Sequence, residues 1–420
     1  MDMQMPQRWR ATDAAEIHTL AERYGTPLYL YDADAVTERI VQIRDALDHA
    51  VKVFYAVKAN PNLELLRAIR DVSDGLDVSS GGEVEQALLA GYDSRTLSFA
   101  GPAKTAAELR SAIENCVGSI SIESVRELRQ CIDIAKQRGI RANVALRVNP
   151  CWLNRAYGIK MGGRSVQFGI DEENIAEALE ILQTHGEHID FRGIHVYAGS
   201  QCFEPAAITQ GVQHTLRIVQ EIEETTKLRC KTINLGGGFG VAHGADRREF
   251  DLEALASTLM PVLRSFRRSS RIERELIFEL GRFLVADAGL YVTRVVSSKR
   301  SRGKDYFIVD GGLHHHLAAA GTFGAAMRSN YVLQNLTRPH EPAVICNVAG
   351  SSCNPTDMLG LDAELPRPEH GDLIAVLGSG SYGLTASPVL FLGHPTPVEL
   401  VRHRGRVLLG RRAWAMTNFN

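Results

Sequence analysis

Between residues 52 and 283 short β-rich runs alternate with stretches of helical period, and this alternation constrains the fold more than any other feature. Eight runs qualify: 52–59 (KVFYAVKA), 75–80 (GLDVSS), 96–101 (TLSFAG), 119–124 (SISIES), 143–149 (NVALRVN), 190–197 (DFRGIHVY), 232–237 (TINLGG) and 275–281 (ELIFELG). Between them apolar residues recur at helical spacing, as Leu109, Ala112, Ile113 and Cys116 do. Thr105 with Glu108, and Ser124 with Glu127, have the spacing of capping boxes at helix starts. Strands connected through helices run parallel, and eight of them predict a closed α/β architecture, the parallel β/α (TIM) barrel, over residues 34–285. A helix at 34–48 leads into it.

The flanks read differently. Residues 26–31 (TPLYLY) form a strand candidate ahead of the barrel. Beyond residue 285 the chain is strand-rich, with candidates at 291–298, 305–310, 343–349, 372–378 and 397–409 between Gly, Pro and Ser clusters. A chain of 420 residues exceeds one ordinary core. The expected organisation is therefore an N-terminal strand within 1–33, a barrel over 34–285, and a β-domain over 286–420 that the N-terminal strand joins.

A net charge of -2 without like-charge runs argues against a nucleic-acid partner. The cluster Arg267, Arg268, Arg271 and Arg274 reads as a solvated helix end. Met1–Arg10 is polar and lacks a signal-peptide core, and no stretch is apolar for long enough to span a bilayer. Seven cysteines (116, 131, 151, 202, 230, 346 and 353) show no CxxC spacing, which suits reduced thiols in a cytoplasmic protein. Six of them read as small buried apolar residues, with Cys353 set apart by its motif.

In a barrel of this kind chemistry gathers at the C-terminal ends of the strands. Lys58 ends the first run, Asp77 and Ser80 the second, Tyr197 and Ser200 the sixth, Gly236–Gly238 the seventh, and Glu279 with Arg282 the eighth. A lysine walled by Tyr55, Ala56 and Val57 is either ion-paired or, with its amine partly desolvated, a Schiff-base nucleophile. The glycine run is either a tight turn or a place where backbone N–H groups close on a phosphate. Arg282 and the hydroxyls of Ser200 and Tyr382 are supplementary phosphate donors.

FYAVKAN, DVSSGGE, HVYAGSQ, LGGGFG and ELGR, followed in order by IVDGG, SSCNPTD and GSYG, resemble the motifs of the fold-type III pyridoxal-phosphate decarboxylases, the group of diaminopimelate and eukaryotic ornithine decarboxylases. The resemblance spans essentially the whole chain. It implies pyridoxal 5'-phosphate as cofactor, decarboxylation of an amino acid, and a homodimer with active sites shared between subunits. By resemblance Lys58 is the Schiff-base lysine, and Asp77 and Arg147 support that end of the cofactor. Ser200, Gly237, Gly238, Arg282 and Tyr382 match the phosphate cup, and Glu279 the carboxylate at the pyridine nitrogen. Cys353 matches the cysteine that reaches the partner's site and acts as proton donor. A carboxylate at the ring nitrogen keeps it protonated and favours decarboxylation, whereas a racemase on a similar barrel is expected to place arginine there. An ion pair of Glu279 with Arg282 is the structural alternative. Retention of Lys58, Glu279 and Cys353 together argues against a non-catalytic cofactor-binding homologue.

Three departures bear on the substrate. Tyr197 stands where family members carry a histidine that stacks on the cofactor, while His195, two residues earlier, is expected to face elsewhere. Leu280 replaces the proline of the usual Glu-Pro-Gly-Arg. Asn354 replaces an acidic residue that binds a distal amino group, and an amide cannot compensate a desolvated ammonium. Free diaminopimelate and ornithine thus become poor candidates. DGGLHHHLAA at 310–319, MRSNY at 327–331 and the segment 381–397 are closer to the branch acting on carrier-tethered or conjugated amino acids (butirosin-type and exosortase-associated enzymes). Asp310, Arg328, Tyr331 and Asn354 are the candidate substrate contacts. The run His314–His316 lacks convergent ligand spacing, so no metal is expected.

Overall fold

The computed structural model describes residues 11–152, 155–242, 244, 248–270, 272–321 and 329–415. Arg328 lies outside the described residues. The chain forms two compact units, one of residues 37–241 and 248–283, the other joining the N-terminal segment through Val36 to 242–247 and to residues 284 onward.

The first unit is the barrel. Its strands are β1 Lys52–Ala56, β2 Gly75–Val78, β3 Leu97–Phe99, β4 Ser119–Ile122, β5 Ala142–Asn149, β6 Ile189–His195, β7 Thr232–Gly237 and β8 Glu275–Leu280. Each pairs in parallel with its sequence neighbours, β8 with β1, and the β4–β5 pairing completes the ring. Helices occupy the connections, and several starts are written in the sequence. At Ala106–Glu114 both halves of the Thr105–Glu108 capping box are formed. At Val125–Arg138 only half forms: Ser124 Oγ accepts the Glu127 N–H at 3.2 Å, but the Glu127 carboxylate accepts the Glu123 N–H and pairs with buried Lys104. Two short strands, Tyr157–Lys160 and Gly199–Cys202, form an antiparallel ribbon beside the strand ends.

Arg274 is not a solvated helix end. It is half-buried, forms a bidentate pair with Glu223, and also donates to Cys230 O at 2.7 Å. Four cysteines are buried as expected, but Cys116 and Cys151 are exposed, as is Cys353.

In the second unit the strand Leu28–Asp32 lies between Gly289–Ser301, antiparallel to it, and Val398–His403, parallel to it. Ile17 and Leu20 of the helix Ala11–Tyr24 pack with Leu28, Leu30, Leu290, Val292, Leu373 and Leu400 in its core. Each such leucine, fully buried, contributes about 1.5–3 kcal/mol. The expected strand 397–409 is a hairpin, Val398–His403 with Arg406–Arg411, turned at Arg404 (φ 49) and Gly405 (φ 71). Lys304–Val309, Ala343–Ala349 and Met358–Pro366 extend the sheet, and Leu333–Asn335 pairs with Leu373–Leu377.

The three consecutive histidines are buried here and turn to different partners. His315 Nδ1 meets Tyr291 Oη at 3.2 Å and its Nε2 meets Pro395 O at 2.9 Å. His316 Nε2 meets Ser379 Oγ at 3.0 Å, and the His314 ring stacks on His394 at 4.6 Å. Burial, reinforced by the neighbouring imidazoles, lowers His314 to about 4 and His315 to about 3. Folding therefore favours their neutral forms, and acid favours the unfolded chain, in which histidine titrates at about 6.5. The β-domain is expected to lose stability progressively as pH falls from about 6.5 to 4. Denaturant midpoints measured across that window for wild type and His314→Gln check this, the variant showing the shallower slope.

Candidate active site

β1 stops at Ala56, and the 3-10 turn Val57–Ala59 that follows carries Lys58. Its Nζ lies 3.2 Å from Asp77 Oδ2 on β2 and 5.8 Å from the centre of the Tyr197 ring. Asp77 is fully buried, and its other oxygen, Oδ1, has no hydrogen-bond partner among the described residues. Burial and the nearby Glu279 charge raise Asp77 to about 6, with Lys58 opposing them. Glu83, the last residue of DVSSGGE, belongs to the same electrostatic group and was not singled out from the sequence. Burial raises it to about 7 although its Oε2 accepts the Ser79 N–H at 2.7 Å.

Glu279, near the end of β8, is buried with both oxygens engaged. His195 Nε2 lies 3.1 Å from Oε1, and Asn234 Nδ2 donates to Oε2 at 2.9 Å. Burial alone would raise this carboxyl. The His195 contact, with Lys58 and Arg147, instead brings it down to about 2. The ion pair with Arg282 is thus not what holds Glu279; His195 faces it, while Tyr197 stands by Lys58. Strand β6 ends at His195, so Tyr197 lies beyond the strand, and the two side chains are not related by strand alternation. Arg147 on β5 is buried against Glu123 at 2.7 Å, with Phe168 below its guanidinium at 4.9 Å.

At the end of β7 the glycines are needed for close approach. A Cβ on Gly237 would sit 2.1 Å from Glu279 O, and one on Gly238, whose φ is 83, would sit 1.9 Å from Gly199 O. The ribbon strand Gly199–Cys202 brings Ser200 beside these glycines, with Cys202 N donating to Gly238 O at 2.9 Å. Arg282, buried, opens the short helix Arg282–Val285.

In the β-domain Cys353 is exposed at the head of a loop. Asp357 is buried, and its two oxygens accept the Leu313 N–H at 2.7 Å and the Ser352 N–H at 3.0 Å. Asn354 Oδ1 accepts both the N–H and the hydroxyl of Thr356 at 2.9 Å, so what it can offer a ligand is its Nδ2 donors. Asp310 is likewise engaged within the domain, by the Thr26 hydroxyl and the Arg294 N–H. Tyr331 is buried against His316, and Tyr382 is half-buried with φ 52.

Residues 33–286 match the family model described as pyridoxal-dependent decarboxylase, pyridoxal binding domain. The chain belongs to this decarboxylase family. It is 37% identical over 405 residues to the L-glutamyl-[BtrI acyl-carrier protein] decarboxylase of Niallia circulans, covering 95% of this chain and 94% of that one. It is 32% identical over 373 residues to the diaminopimelate decarboxylase of Bacillus subtilis, covering 87% and 84%. The crystal structure of diaminopimelate decarboxylase from Helicobacter pylori complexed with L-lysine superposes with a TM-score of 0.85 at 26% identity, covering 96% of this chain and 98% of that chain. The protein is accordingly a pyridoxal-phosphate-dependent decarboxylase with a TIM barrel and an added β-domain. Among the described residues no helix of this decarboxylase is long and apolar enough to cross a membrane.

The barrel residues suit that cofactor. The unpartnered Asp77 oxygen beside Lys58 is a buried acceptor awaiting a donor, and the glycines leave a cradle that any side chain would fill.

Proposed function

We propose that this decarboxylase removes the α-carboxylate of an amino acid whose distal end is neutral, presented as a conjugate or on a carrier protein. The pair Asn354 and Asp357 carries the reading. The carboxylate closest in sequence to Asn354 is buried on two backbone N–H groups and holds the loop, so it does not substitute for the missing acid. The Nδ2 donors of Asn354 suit a carbonyl oxygen rather than an ammonium. The Niallia circulans relative, an L-glutamyl-[BtrI acyl-carrier protein] decarboxylase, agrees, whereas the diaminopimelate decarboxylases among the relatives favour free meso-diaminopimelate as the second reading.

In this reading Lys58 anchors the cofactor, and Asp77 and Arg147 support the lysine end. Ser200, the N–H groups of Gly237 and Gly238, Arg282 and Tyr382 hold the phosphate, Tyr197 covers a ring face, and Glu279 faces the ring nitrogen. Pyridoxal phosphate, when bound, supplies an electron sink for the pair released as carbon dioxide departs. Cys353, from the partner subunit of a homodimer, delivers the proton from Sγ to the carbon that lost the carboxylate. Arg328 and Tyr331 are the further candidate substrate contacts.

Borohydride reduction of the yellow holoenzyme, followed by peptide mass mapping, is expected to place the cofactor on Lys58. A label on Lys104 or Lys160 overturns the site. Carbon dioxide release from a glutamyl amide or thioester, set against free meso-diaminopimelate, tests the substrate.

A further inference from the structure

Four buried polar side chains from four different strands meet inside the barrel: Ser121 of β4, His195 of β6, Asn234 of β7 and Glu279 of β8. Their contacts form one chain. Ser121 Oγ lies 3.1 Å from His195 Nδ1, His195 Nε2 lies 3.1 Å from Glu279 Oε1, and Asn234 Nδ2 donates to Glu279 Oε2 at 2.9 Å. We infer that His195 is a positioning residue for decarboxylation: backed by Ser121, it donates from Nε2 and, with Asn234, aims the Glu279 carboxylate. The inference rests on Glu279 facing the cofactor's ring nitrogen, as proposed above.

Each donor to Glu279 has a partner behind it. Asn234 Oδ1 accepts the Gly236 N–H at 2.9 Å, so the amide must turn its Nδ2 hydrogens toward Glu279. Ser121 backs His195 at the other ring nitrogen, its Oγ 3.1 Å from Nδ1, and its backbone carbonyl is held by Lys104 Nζ at 2.7 Å. A hydroxyl can donate or accept, so the direction of the contact with Glu279 is set from the carboxylate side: an ionised carboxylate only accepts, and Nε2 then carries a proton toward Oε1. Two of the carboxylate's roughly four acceptor positions are used by His195 and Asn234, which leaves others for a ring N–H.

A histidine that merely filled space would affect stability alone. A positioning role has a readout of its own: the preference of the full-length enzyme for pyridoxal phosphate over an analogue with a C–H in place of the ring nitrogen. Wild type is expected to bind the natural cofactor more tightly, and Glu279→Gln to lose that preference. His195→Phe should lose it too, with kcat reduced about ten- to a hundredfold and KM little changed, as for loss of an orienting partner. His195→Gln, which keeps an N–H donor of similar reach, should recover most of both.

If Glu279→Gln abolishes the preference while His195→Phe keeps it, the positioning role is wrong. If Glu279→Gln keeps it, the placement of Glu279 at the ring nitrogen is wrong instead. Should His195→Phe fail to fold, Ser121→Ala replaces it. Nitrogen-15 NMR of the wild type is expected to show His195 carrying a proton at Nε2. Finding Nε2 unprotonated in the wild type overturns its assignment as the donor to Glu279.

Discussion

Lys58→Ala and Cys353→Ala are each expected to lose about three orders of magnitude or more in kcat, and to regain activity when the two proteins are mixed. Lys58 belongs to the barrel, and Cys353 stands exposed in a loop of the β-domain. If each subunit lends its Cys353 to the partner's Lys58, both homodimers lack a complete site. Random re-association makes about half the dimers hybrids, and each hybrid has one site with both residues intact. About a quarter of wild-type activity should then return. Subunit exchange followed by mass spectrometry, together with carbon dioxide release, measures this directly. Verified exchange without recovery places both residues in one subunit's site.

The second large effect concerns the substrate. An enzyme that grips a distal ammonium must compensate a desolvated charge, and leaving that cation unpaired costs about 3–5 kcal/mol, roughly two to four decades in kcat/KM. Asn354 supplies no charge, and Asp357 holds the loop from within. meso-Diaminopimelate, lysine and ornithine are therefore expected to fall two to four decades below a glutamate-like substrate with an amide, ester or thioester at its distal end, by roughly the same estimate. Carbon dioxide release across such a panel at equal concentrations gives the ranking. Asn354→Asp should narrow the gap by improving the cationic substrates. Diaminopimelate as the best substrate of the wild type would reverse the proposal.

The barrel was legible because each of its strands is a short β-rich run bounded by helix starts, and the Thr105 capping box is formed as its spacing implies. What was missed lacks such a signature. Met358–Pro366 does not alternate cleanly: Leu361 and Asp362 are both exposed and Asp362 has φ 45, at a register shift against the neighbouring strand. The ribbon Tyr157–Lys160 and Gly199–Cys202 contains Gly158 and Gly199, poor strand formers that make room for the opposite chain. The contact of His195 with Glu279 was not legible, since the segment through Tyr197 reads as one strand. The structure ends that strand at His195, whose neighbours in register are Arg147 and Asn234. Local composition does not carry that information, since it depends on where three separate strands stop.

The strand Leu28–Asp32 receives its parallel partner only at Val398–His403, with Arg402 donating to Asp32 at 2.8 Å across 370 residues of chain. During synthesis that strand waits with both edges bare until Gly289–Ser301 has been made, and with one edge bare until Val398–His403 follows. In sequence, all eight barrel strands fall between Leu28–Asp32 and Gly289–Ser301 and are made before either partner of that strand. Completion of the β-domain is therefore the late event of biogenesis. Contacts of such separation form slowly, and the waiting edge is the place where a nascent chain is most open to wrong pairing or to capture by a chaperone.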